Sequence, residues 1–172
     1  ATNPLTVVTN LDGVPLAEPF TTSFTTTDRY VQDFSRPEIR GTSPTDGAVN
    51  VPDNGDVEIT FSEPMDVASF RPPRFQGDPT ATVRMSYTTA SQNGALAGRN
   101  VLTQVRVKPQ TAGNVIQLRP LQGFGPGPYE VEVTVTAGVT DLSGNNIIRQ
   151  QTFVFSTEND PTAERFDAID ET

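Results

Sequence analysis

The stretch YEVEVTV, Tyr129 to Val135, carries the first decision about the fold. Val131, Val133 and Val135 fall on one side of an extended chain, and Glu130, Glu132 and Thr134 on the other. That period of two is the pattern of a half-buried strand, and β-branched residues favour it. LQGFGPGPY, Leu121 to Tyr129, leads into it; its glycines and prolines forbid a helix and mark a turn. Thr140 to Asn146 closes it with a second turn.

The same pattern recurs on both sides. Val57, Ile59 and Phe61 alternate with Glu58 and Thr60, and Pro64, which cannot donate to a central ladder, ends that run. Val83, Met85 and Tyr87 alternate, and Val101, Thr103, Val105 and Val107 share one face. Val115–Leu118 and the segment around Phe153 and Phe155 read as further strands. The turn-rich stretch Thr42–Asp56 leaves room for one short edge strand near Val49–Val51. Residues 89–100 read as a loop or hairpin tip, and FRPPRF, Phe70 to Phe75, as a kinked crossing between sheets. The sum is an all-β chain with about seven strands and turns at the spacing of a β-sandwich.

Composition agrees and removes several chemistries. Hydrophobic residues make up 34% and charged residues 19%, with 13 Gly and 15 Pro. The chain has no His, Cys or Trp. Zinc sites built on Cys or His are excluded, with cysteine nucleophiles and triads that need an imidazole. The net charge of −9, with Lys108 the single lysine, argues against nucleic acid and anionic membrane surfaces as partners. No apolar run approaches the ~20 residues of a membrane-spanning helix, so membrane insertion is not expected.

The chain repeats itself. VTNLDG at Val8–Gly13 returns as VTDLSG at Val139–Gly144, 131 positions on, and Phe24-Thr25-Thr26 falls on Phe155-Ser156-Thr157 at the same offset. Residues 1–27 therefore read as the closing strands of a preceding repeat, too few to bury a core alone. Residues 28–40 read as a linker, with Tyr30, Val31 and Phe34 apolar enough to pack on a neighbour. Residues 41–157 read as one complete domain and 158–172, which include Phe166, as an acidic linker or tail.

At this point the residues resemble a known family. SPTDGAVNVPDNGDVEITFSEPMD, Ser43 to Asp66, is similar to the opening of the bacterial Ig-like domains named after the SbsA surface-layer protein. GPGPYEVEVT (Gly125–Thr134), DLSGN (Asp141–Asn145) and FST (Phe155–Thr157) resemble that family's closing segments, in the right order. Residues 76–112 run longer than the family pattern and are expected to hold an extra hairpin or long insertion. The resemblance implies an Ig-like β-sandwich and a non-catalytic structural or spacer module of a bacterial cell-surface or exported protein. Its partners would be neighbouring Ig-like repeats of the same chain, or protein subunits of an extracellular assembly. Two alternatives stand beside it: an adhesin-type module that recognises a glycan or protein through 76–112, and an accessory domain of a larger extracellular enzyme.

Candidate chemistry is thin. Glu63 and Asp66 lie just past a strand, and Asp141 and Asn145 lie in a turn; these four are the candidates for a calcium site, since calcium takes carboxylate and carbonyl oxygens. The competing reading is a turn in which Asp141 and Asn145 cap their own backbone. TDLSGNN lacks the alternating ligands of an EF-hand loop, so the expectation is no cofactor and no metal, with calcium as the exception to test. Asp46, Asp53 and Asp56 read as turn formers. GFGPG, Gly123 to Gly127, has neither the lysine nor the helix of a phosphate loop and reads as a turn. Paired carboxylates could serve a glycosidase, but without Trp the stacking of a sugar would rest on three Tyr and ten Phe, most of which read as core, and no catalytic residue is expected.

Overall fold

The structure is a computed structural model; it describes residues 22–23, 33–88 and 97–159. The chain divides into two compact units, 1–32 and 33–172. Of the first, only Thr22 and Ser23 are described, both exposed and outside regular structure. The repeat segments at 8–13 and 24–26, Tyr30, Val31 and Phe166 lie outside the described residues.

The second unit is all-β. In chain order it has β1 (Ile39–Ser43), β2 (Ala48–Val51), β3 (Val57–Phe61), a short 3-10 turn (Val67–Ser69), β4 (Val83–Tyr87), β5 (Thr103–Val107), β6 (Val115–Pro120), β7 (Glu130–Val135) and β8 (Gln151–Thr157). They form two four-stranded sheets, β1-β3-β6-β5 and β2-β8-β7-β4. All neighbours are antiparallel except β2 and β8, which run parallel. The fold is the expected Ig-like sandwich.

The alternation read from sequence fixes which side chains meet between the sheets. Val57, Ile59, Phe61, Ile116 and Leu118 from one sheet face Val83, Met85, Val131, Val133, Val135 and Phe155 from the other, all with at most 1% of their surface exposed. Each such burial contributes roughly 1.5–3 kcal/mol relative to exposure, which makes this layer the main source of stability. Val105 and Val107 only pack against it, because β5 is an edge strand. Phe124 stacks edge-on against Phe155 (5.4 Å), and Tyr87 against Tyr129 (5.3 Å), closing one end of the core.

The strand not foreseen is β1. Its sequence, IRGTS, has one apolar residue and no alternation, and its pairing with β3 slips register between Ile39 and Gly41. Ile39 and Arg40, inside the stretch read as a linker, belong to it. The long middle region forms a hairpin. Residues 98–101 run back along β4, with Gly98 N–H donating to Tyr87 O (2.7 Å) and Val101 N–H to Met85 O (2.8 Å); the tip, 89–96, lies outside the described residues. The Phe70–Phe75 segment carries the chain from β3 in one sheet to β4 in the other, as expected of a crossing. Among the described residues no helix is long and apolar enough to cross a membrane.

Candidate functional site

Polar side chains gather at the two poles of the sandwich. The first pole lies where the lead-in residues 33–38 meet the ends of β3 and the turn before β8. There the carboxylates of Asp33, Glu63 and Asp141 have oxygens within 4.8 Å of one another. Asp141 is buried, and its Oδ1 accepts the backbone N–H groups of Ser143 and Asn145, both at 2.8 Å. This is the Asx turn that the sequence offered as the competing reading. Asn145 turns its amide nitrogen inward, donating to Asp141 Oδ2 (2.9 Å) and to the Asp33 carbonyl (3.0 Å). Arg36 Nε donates to the Asn146 carbonyl (3.1 Å) and Glu38 N–H to Ser62 Oγ (3.0 Å), so the lead-in is fastened to the sandwich at several points.

The electrostatics of this cluster are uneven. Burial pushes the Glu63 carboxyl above its ordinary range, and the nearby charges of Asp141 and Asp33 push the same way. Asp33 is held below its ordinary value, chiefly by accepting the backbone N–H of Ser35 (2.8 Å). Three carboxylates this close cannot all carry charge cheaply, and the upward shift falls on Glu63.

Of the four calcium candidates, the structure brings Glu63 and Asp141 together. Asn145 joins them through its nitrogen, a donor to the carboxylate. Asp66 points elsewhere: its carboxylate caps the 3-10 turn, accepting Ala68 N–H at 3.0 Å. Asp33 completes the cluster and escaped the sequence reading, because it lies in a polar segment thirty positions before Glu63 with no spacing to signal it.

The opposite pole is built on Asp53. Its Oδ1 accepts the N–H groups of Phe124 (2.7 Å) and Gly125 (2.5 Å), and its own N–H donates to Glu158 Oε1 (3.2 Å). Gly123 and Gly125 have φ of 71° and 84°, the left-handed region that glycine enters without a Cβ penalty. The GFGPG turn thus offers a concave row of backbone donors, an anion-holding nest, and the chain's own Asp53 fills it. A Cβ at Gly123 would sit 2.4 Å from that carboxylate. Next to it, Tyr87 O–H donates to the Phe124 carbonyl (2.9 Å), and burial raises its pKa. Asp46 likewise reaches far, accepting Val154 N–H at 2.9 Å, and Asp56 pairs with Arg106 (2.9 Å). All three aspartates read as local turn formers hold partners 50 or more positions away.

No arrangement of nucleophile, base and oxyanion donors occurs among the described residues. A groove of about 350 Å³ lies at the lead-in pole, lined by Pro37, Glu38, Ile39, Ile147, Ile148, Arg149 and Gln151. It is open and of mixed polarity.

Solved structures of similar fold include the N-terminal part of the bacterial S-layer protein SbsC (TM-score 0.46, 14% identity, 72% of this chain and 24% of that one). Two others are the copper resistance protein PcoC from Escherichia coli (0.47, 15%, 70% and 98%) and CopC from Methylosinus trichosporium OB3b (0.47, 13%, 76% and 100%). The chain thus spans about a quarter of the S-layer fragment's length. Likenesses this loose carry no function across. No curated protein matches in sequence. The bacterial Ig-like domain profile matches residues 33–157, from the lead-in to the last residue of β8. The chain belongs to the bacterial Ig-like domain family.

Proposed function

We propose that this chain is a non-catalytic structural module, a spacer of the surface-layer Ig-like type in a multi-domain protein of the bacterial envelope or exterior. The observation that carries the reading is the internal repeat. Its second copy coincides with the turn at Val139–Gly144 and the end of β8, the closing elements of the sandwich. A preceding repeat that closes in the same way makes the chain part of a tandem array, whose units contribute length and surface. The polar side chains support it as well. At both poles they hold backbone groups and lead-in residues, work that shapes a fold. Neighbouring Ig-like repeats are then the first partners.

The acidic cluster is read in the same terms: Asp141 and Asn145 shape the turn, Asp33 is tied to it, and Glu63 lies beside them with its pKa raised by burial and by their charges. Light scattering on the full chain, with and without a calcium chelator, tests the proposal. A spacer gives a monomer indifferent to chelation. A large assembly that dissolves on chelation would replace the spacer with a calcium-linked lattice subunit. Glycan or protein binding that maps to 76–112 would replace it with an adhesin-type module.

A further inference from the structure

We propose that the parallel pairing of β2 with β8 is a shear patch that resists stretching of the domain between its two ends. The use of such a patch rests on the spacer reading; its existence rests on topology alone.

The lead-in and the end of β8 leave the sandwich at opposite poles. Pro37, Glu38 and Ile39 share a groove with Ile147, Ile148, Arg149 and Gln151, so the start of β1 lies beside the start of β8. At the other end, Val51 of β2 pairs with Thr157 of β8, and Glu158 N–H donates to the Val51 carbonyl at 2.8 Å. The seven residues of β8 separate the two poles by about 20 Å at a strand's usual rise. Tension between the two ends of the domain therefore runs along the strand axes.

Two routes lead to mechanical opening. Stripping from the C-terminal side removes β8, which is bonded to β7 and β2. Stripping from the N-terminal side first slides β1 along β3, then pulls β2 from β8. The β2–β8 ladder lies on both routes. Because the strands are parallel, β2 is drawn backward from its start and β8 forward from its end, and all the bonds between them are strained together. In the opposite geometry they would open one at a time. Side chains thicken the patch. Gly47 N–H donates to Val154 O (2.7 Å), and Val154 N–H donates back to Asp46 Oδ1 (2.9 Å). Glu158 Oε1 accepts Asp53 N–H, and Asp53 in turn is seated in the Phe124–Gly125 nest. Thr157 is buried and clamped from the β7 side as well, with its N–H on Tyr129 O (2.8 Å) and its Oγ1 accepting Tyr129 N–H (2.9 Å).

Single-molecule pulling tests this, since the rupture force reports the unfolding barrier. The full chain is held by its two termini, and separately by its N-terminus and a Gln150→Cys anchor; the native chain has no cysteine to compete. The second geometry pulls β2 and β8 from the same end and unzips the patch. The expected result is a rupture force several-fold higher for the terminal geometry. Asp46→Ala and Glu158→Pro should each lower the terminal-geometry force, whereas Val105→Ala in β5, on neither route, should lower thermal stability and leave the force nearly unchanged. Equal forces in the two geometries, or a Val105→Ala loss as large as that of Glu158→Pro, would overturn the proposal. A weak domain would leave the spacer reading standing, and a ligand found by the binding assays would leave the patch standing.

Discussion

Glu63 is a carboxyl that the fold works against, and its pH signature follows from that. Burial and the neighbouring Asp141 and Asp33 raise its pKa, so the folded state binds the proton more tightly than the unfolded state. The stability this contributes is complete below the ordinary glutamate pKa and is lost as pH rises through the raised one. Glu63→Gln removes the charge and keeps the shape. It should unfold at a higher denaturant midpoint than the native chain near neutral pH, with the gap closing in acid. Glu58 carries the opposite sign. Its pKa is lowered, first by the Lys108 ammonium at 2.8 Å and then by Gln117, whose amide donates at 2.8 Å. Its contribution is present above the ordinary glutamate pKa and lost as pH falls through the lowered one. Lys108→Ala should therefore lower stability near neutral pH, by up to about 1 kcal/mol for a partly exposed pair, with no effect in strong acid; urea titrations at the two pH values check both substitutions. The local half of this chemistry was legible in the sequence. Asp141 and Asn145 sit four positions apart in a turn, and the turn is what they make. The remote half was not, because Asp33 meets Glu63 only through the path of the lead-in.

Strands with two-residue alternation announced themselves, since one face of each is buried against the opposite sheet. Val57–Phe61, Val83–Tyr87 and Glu130–Val135 all show it in their burial. β1 did not, because an edge strand with a register slip buries little and needs no apolar face. The parallel partnership of β2 with β8 was also invisible, as strand order leaves no mark on local pattern. The turns were recognised as turns, and what they grip was missed. GFGPG and the β2–β3 turn are one element in function: Asp53 joins them across 71 positions. Asp53→Ala would take the carboxylate from the buried Gly125 N–H, while the Phe124 N–H keeps the Asp53 backbone carbonyl at 3.0 Å. A buried donor left unpaired costs about 1–3 kcal/mol, and thermal unfolding should show a loss of that order. A variant as stable as the native chain would mean that water replaces Asp53 in the nest.

For the whole molecule, composition and repeat said more than any motif. The absence of His, Cys and Trp removed most catalytic and metal chemistry, and the 131-residue offset carries the proposal of an array. We propose that 33–159 is a self-standing sandwich that needs no ligand to hold its shape. Its core supports this: one contiguous cluster of apolar side chains spans both sheets, and the aromatic pairs close it. Equilibrium unfolding of the isolated 33–159 segment decides this, followed by circular dichroism and by the fluorescence of the buried Tyr87 and Tyr129, with calcium and with a chelator. A ligand that binds only the folded state must raise its stability by mass action. One cooperative transition is expected, coincident in both signals, at the same midpoint with and without calcium. A segment that stays unfolded without residues 1–32, or a midpoint that climbs with calcium, would contradict it.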